Sequence, residues 1–157
     1  LADTAWGTFA TGLDATFFSS YRFAGDPHNY VGENSSWGNM PRWRAVANLA
    51  WDNGPWHASW NARYLGRTVN GSQYENFCVD TNADGSCAYF PIGSVVYHDA
   101  SLSRKIASLH STLAVGIDNL GDRKPPRFYS YSNAANTEAS TYDTLGRYVW
   151  SRLRVEF

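Results

Sequence analysis

Apolar and polar side chains alternate from Trp6 to Phe23 for longer than most soluble strands run. Phe9, Thr11, Leu13, Ala15, Phe17, Ser19, Tyr21 and Phe23 fall on one face, and Thr8, Ala10, Gly12, Asp14, Thr16, Ser20 and Arg22 on the other. A period of two is what an extended strand with one apolar face requires. The pattern returns with Trp43, Ala45, Ala47, Leu49 and Trp51 opposite Arg42, Arg44, Asn48 and Asp52. It returns again with Trp56, Ala58, Trp60, Ala62 and Tyr64 opposite His57, Ser59, Asn61, Arg63 and Arg67. Between these two runs, Asp52-Asn53-Gly54-Pro55 predicts a tight hairpin in which Asn-Gly supplies positive φ angles. Further on, Leu109, Leu113, Val115 and Ile117 oppose His110, Thr112, Gly116 and Asp118, and at the end Val149, Leu153, Val155 and Phe157 oppose Tyr148, Trp150, Arg152, Arg154 and Glu156. Only the segment beginning at Ser94 alternates poorly, with Val95 and Val96 adjacent. The expected strands cover about 5–23, 40–52, 55–67, 94–104, 108–119 and 145–157.

Connection lengths alternate as strictly as the side chains. Ala24 to Asn39, Thr68 to Gly93 and Leu120 to Thr144 are long and polar, whereas the turns around Asn53-Gly54 and from Lys105 to Ser108 are tight. Outer-membrane barrels show this asymmetry, with long loops outside the cell and short turns in the periplasm. Aromatic residues gather at strand ends, Trp51 and Trp56 beside the tight turn and Trp43 and Tyr64 at the opposite ends of the same strands. Rings with a polar edge are most stable at the two lipid–water interfaces. A soluble β-sandwich also alternates apolar and polar positions and also needs turns, and is the alternative, with the polar face outermost in water. The expected fold is all-β, an antiparallel transmembrane β-barrel. Six strands fall short of the roughly eight with which membrane barrels begin to close, so the rest of the wall is expected from elsewhere.

Composition agrees with this class. Seven Trp and ten Tyr occur among 157 residues, yet mean hydropathy is −0.43, and no segment approaches the roughly 20 apolar residues of a membrane helix. A barrel has mild average hydropathy because its two faces alternate. A net charge of −1 gives no general attraction to nucleic acid. The chain opens at Leu1 without an initiator Met or an apolar leader, and is expected to be a fragment or a processed piece. Cys78 and Cys87 sit close together in a polar segment. A small-loop disulfide formed in an oxidising envelope is the simplest account, and two free thiols remain the alternative.

Several segments, taken in order, resemble one family. These are Gly38-Asn39-Met40-Pro41-Arg42-Trp43-Arg44, then Asn53-Gly54-Pro55-Trp56 and Arg63-Tyr64-Leu65-Gly66, then Tyr97-His98-Asp99 and Gly116-Ile117-Asp118-Asn119-Leu120-Gly121-Asp122 with Pro125-Pro126. Asn136-Thr137, Thr141-Tyr142-Asp143-Thr144-Leu145-Gly146-Arg147-Tyr148 and the terminal Phe157 complete the series. Across essentially the whole chain, their order and spacing resemble the C-terminal end of TonB-dependent outer-membrane receptors of the proteobacterial type. The pattern departs at Leu120-Gly121, where an aromatic commonly follows the leucine. The resemblance implies the last six strands of a barrel of about 22, closed around a folded plug that lies outside this chain. It implies TonB-energised uptake of a scarce nutrient, such as a metal chelate, a vitamin or an oligosaccharide, across the outer membrane of a Gram-negative bacterium. The implied partners are the remaining barrel and its plug, the TonB complex through that plug, the barrel-assembly machinery, and outer-membrane lipid and lipopolysaccharide. The alternative is a non-transport envelope β-domain whose loop is stapled by a disulfide or by calcium.

Candidate residues follow from these readings. Val149, Leu153, Val155 and Phe157 form an alternating terminal signal of the kind the barrel-assembly machinery reads as an added strand. Asp14, Arg42, Arg44, Asn48, Asn61, Arg63, Arg67 and Asp99 are expected to face the lumen, as a solvated wall or in contact with plug and solute. Asp80, Asn82 and Asp84 imitate the start of a calcium loop, but its twelfth position is Pro91 where a bidentate Glu belongs. A hairpin tip closed by the cysteines is the expectation there. The four histidines share no ligand spacing, and no nucleophile elbow accompanies the Ser, His and Asp residues. Neither a metal, a cofactor nor an enzymatic activity is expected.

Overall fold

The computed structural model describes residues 2–36, 38–70, 81–86, 88–128 and 136–156. It is all-β, and antiparallel apart from one short parallel pair. The strands are β1 (Ala2–Thr4), β2 (Gly7–Phe17), β3 (Glu33–Ser35), β4 (Gly38–Asn39), β5 (Trp43–Asn53), β6 (Trp56–Leu65), β7 (Thr68–Asn70), β8 (Phe90–Ile92), β9 (Val95–Ile106), β10 (Ser111–Asp118) and β11 (Tyr148–Val155). A seven-stranded sheet runs in the order β1-β2-β5-β6-β9-β10-β11, and a four-stranded sheet in the order β4-β3-β7-β8. The larger sheet is a meander in which each strand pairs with its neighbour in the chain once the long loops are set aside. It is open: on its outer side β2 has no ladder partner beyond Phe9, and the outer side of β11 has none, among the described residues.

Register carries the alternation across the sheet. Thr11, Leu49, Trp60, Ala100, Ile117 and Val149 form one continuous row, and Leu13, Ala47, Ala62 and His98 the next. The opposite face holds rows such as Gly12, Asn48, Asn61 and Asp99, or Asp14, Val46, Arg63 and Tyr97. The apolar face is uncovered, with Leu13 exposed to 72% and Leu153 to 64%. The buried apolar side chains of the described residues, among them Ile92, Val95, Tyr97 and Tyr142, instead gather at the long-loop end. Val95 and Tyr97 share the polar face of β9, so this small core lies under the loops on the polar side.

Several expected boundaries shift. The first strand stops at Phe17 rather than near residue 23, because Phe18 N–H makes the last bond, to Arg42 O. The Asn29 side chain then accepts from Tyr21 N–H and donates to Ser19 O, folding the chain back. Leu109 belongs to a turn, residues 107–110, rather than to the strand that follows, and the last strand starts at Tyr148. In the first hairpin the loop is Gly54-Pro55, and Asn53 remains in β5, paired with Trp56. Gly54 takes φ +55°; the next residue, Pro, cannot be positive, which suits a II′ loop with Gly first and rules out I′. The long connections are not structureless, since β3, β4, β7 and β8 build the smaller sheet from two of them.

Candidate functional site

The polar face of β2, β5, β6 and β9 is the surface expected to line a lumen. Asp14, Arg44, Asn48, Asn61, Arg63 and Asp99 all stand on it by register. The structure brings Arg63 and Asp99 together, with Nε 3.5 Å from Oδ2, and lays the guanidinium 5.4 Å from the Tyr97 ring centroid. Asp99 also accepts Asn119 N–H through Oδ1 at 2.8 Å. Asp52 and His57 pair at 2.7 Å nearer the tight turn, and Ser59 and Ser101 hydroxyls meet at 2.8 Å. Exposed ion pairs of this kind contribute about 0–1 kcal/mol each, so they hold the face together only weakly.

Arg42 and Arg67 lie just beyond the ends of β5 and β6, so no ladder register assigns either to a face. The Arg42 guanidinium lies over the Phe17 ring at 5.8 Å, and Phe17 belongs to the apolar rows. Arg42 and Arg67 share a cleft with Trp43 and Tyr64. Arg44 stays on the polar face by register, donating from Nη2 to Asn39 O at 2.9 Å.

At the loop end, residues that alternation could not single out close over the polar face. Asn119 takes a left-handed φ of +51°, which Asn tolerates better than most residues. Its side-chain Nδ2 donates to Arg123 O and to Asp143 Oδ2, both at 3.0 Å, while Oδ1 accepts Arg123 N–H at 2.7 Å. Asp143 N–H donates to the Tyr97 hydroxyl at 3.2 Å. The last long loop is thereby tied to β9. The Asp122 carboxyl holds the same loop, and its pKa is lowered mainly by the Lys124 ammonium at 2.9 Å and by Arg147 N–H. Burial pushes the Tyr142 phenol above its usual range, against the hydrogen bonds it receives from Asn39 and Thr68. Asn39 Nδ2 reaches that hydroxyl at 3.0 Å and Thr68 Oγ1 at 3.4 Å. Tyr142→Phe leaves the buried amide with only the longer bond. It is expected to cost about 1–2 kcal/mol, read by equilibrium unfolding; an unchanged midpoint would show that this contact does not hold the loops.

The sequence did carry one sign of this core. Val95 and Val96 side by side, followed by Tyr97, put apolar side chains on both faces of one strand: Val95 and Tyr97 lie buried under the loops, while Val96 is exposed on the apolar face.

The terminal residues Val149, Leu153 and Val155 lie exposed on the apolar face of the free edge strand β11; Phe157 is outside the described residues. So are Cys78, Cys87 and Asp80, and with them the pairing of the cysteines. Asn82 and Asp84 turn inward on their own loop. Asp84 Oδ1 accepts Ser86 N–H at 2.9 Å and Ser86 Oγ–H at 2.6 Å, which lower its pKa, and Asn82 Nδ2 donates to Ser86 Oγ. This is the chemistry of a turn tip. No group of three metal-binding side chains occurs among the described residues.

A scan against family models and searches of curated proteins and of solved structures find no match to this chain.

Proposed function

We propose that this chain is part of the wall of a TonB-dependent outer-membrane receptor, a barrel of about 22 strands that takes up a scarce nutrient from outside a Gram-negative cell. One observation carries the membrane part of the reading. Rows carrying Leu, Val, Trp and Phe side chains, with Ala, Thr and His98 between them, cross the larger sheet half-exposed to exposed, while the buried apolar residues of the small core lie on the opposite side under the loops. A soluble sheet packs its apolar face inward, and an exposed apolar surface of this extent marks contact with something apolar. Trp43 and Trp51 bound the band on β5. Eight residue steps at roughly 3.3 Å separate them by about 26 Å along the strand, or about 20 Å of depth at a barrel tilt of about 40°, against an apolar band about 25 Å tall.

The open edges support the same reading, since no strand edge can stay unpaired in hydrocarbon. The remaining strands of the wall would complete β2 and β11. The nutrient-uptake part rests on the family resemblance of the loops and strand ends. In this role the polar face lines the interior beside the plug, and the long loops face the medium and meet the ligand.

The test uses the polypeptide that carries this chain, in its native membranes. It is expected to stay in the pellet through an alkaline carbonate wash and to need detergent for extraction; release into buffer would overturn the membrane reading. Cells producing it are expected to accumulate a labelled ferric chelate, cobalamin or oligosaccharide, and to stop when the inner-membrane proton gradient is collapsed. Accumulation indifferent to that gradient would overturn the TonB part alone.

A further inference from the structure

The ladders within the long loops are too slight to stand alone. The β3–β4 ladder joins Asn34 to Asn39 and Ser35 to Gly38, and the β7–β8 ladder joins Thr68, Val69 and Asn70 to Ile92, Pro91 and Phe90. Isolated two-stranded pairs are marginal in water even when longer. Each loop instead closes on another. β3 of the first loop runs parallel to β7 of the second, Glu33 beside Val69 and Asn34 beside Asn70, and Val69 N–H donates to Gly32 O at 2.9 Å. Inside that seam Asn34 Nδ2 donates to Asn70 Oδ1 at 3.0 Å, and both residues are buried.

Tyr142 brings in the third loop. Its ring packs in the small core with Ile92 of the second loop and with Val95 and Tyr97 of β9, and Phe128 of its own loop meets it edge to face at 6.0 Å. Its hydroxyl accepts Asn39 Nδ2 from the first loop at 3.0 Å. The next residue, Asp143, donates its N–H to the Tyr97 hydroxyl, which fixes the cluster to the sheet. One side chain thus touches all three loops and the strand beneath them. A buried polar group that loses its partner is costly, so a loop that lifted away by itself would strip hydrogen bonds from buried amides in its neighbours.

We propose that the three long loops open and close as one cooperative unit centred on Tyr142, while the strands below stay paired. Local openings follow contiguous packed units, and this unit is assembled from segments far apart in the chain. Whatever steadies one loop then steadies the other two. Under the uptake reading, a ligand that touches any one loop is held by all three. The inference itself needs only the contacts between the loops, so it stands or falls apart from the membrane reading.

Hydrogen exchange, read by mass spectrometry on the polypeptide that carries this chain, follows Met40, Val69 and Tyr142, whose N–H groups donate to the carbonyls of Glu33, Gly32 and Glu138. Asn34→Ala cuts a bond between the first two loops and is expected to speed exchange at Tyr142, in the third, by about tenfold, the effect of one lost hydrogen bond. Phe128→Ala, in the third loop, is expected to speed exchange at Met40, where the first loop closes, to a similar extent. Amides of β5 and β6 keep the parent's rates in both variants, which shows that the larger sheet survives each substitution. Acceleration confined to the loops that each substitution touches overturns the proposal and leaves the membrane reading intact. So does exchange along β5 and β6 that rises in step with the loops, because the loops would then open only with the whole sheet.

Discussion

Leu49→Arg is expected to lower folding free energy in lipid by about 2–4 kcal/mol, the depth-dependent cost of a cation on the lipid face near the midplane. Leu49 sits near the middle of β5, in register with Thr11 and Trp60, and is 37% exposed. Were that face wet, the same substitution would fall within about 0.5 kcal/mol of neutral. The control is Asn48→Arg, one residue along and on the other face, across from Gly12 and Asn61. Gly12 leaves room there, since a Cβ on it would still be 3.8 Å from Asn48 Nδ2, and the expected change is under about 1 kcal/mol. Guanidinium unfolding of both variants from lipid vesicles measures the pair. Equal, small effects would place water on both faces.

Gly116→Val is expected to destabilise the β10–β11 pairing by about 1–3 kcal/mol through overpacking. Gly116 lies opposite Trp150, and the indole covers it so closely that an added Cβ would stand 2.3 Å from Cζ2 and 2.4 Å from Cε2. The ring is not free to swing aside at no cost, because its Nε1 donates to Asp118 Oδ1 at 3.2 Å. Removing the indole removes the clash. The double variant Gly116→Val with Trp150→Ala should therefore lose less stability than the two single losses added together. Simple additivity in that cycle, measured by equilibrium unfolding, would mean that the ring does not rest on the glycine.

The central strands were the most legible part of the molecule. Along β6, and along β5 apart from Val46 and Ala50 on its polar face, apolar and polar side chains alternate, and the structure keeps both strands within a few residues of the expected limits. Where expectation and structure part, a polar side chain redirects the backbone. Tyr21 and Phe23 continue the pattern of β2, but Asn29 binds Ser19 and Tyr21 and bends the chain away, so the two rings pack edge to face at 5.3 Å instead. Arg42 and Arg67 sit at positions that alternation assigns to the inner face, yet past the last ladder bond the pleat no longer dictates direction. His98 shows the opposite case, a polar residue that register places among apolar ones, where it stacks on Trp60 at 5.5 Å and 18°.

From residue order alone came the strand type, the two faces and the tight turns, because a side chain's face in a strand depends only on its own position in a period of two. Tertiary structure decided which rows became continuous across strands, that the sheet stays open, and that Tyr97, Asn119 and Tyr142 tie the loops onto the polar face. Those contacts join residues far apart in the chain, such as Asn39 with Tyr142. They exist only once pairing along whole strands has set the register, which no local pattern encodes.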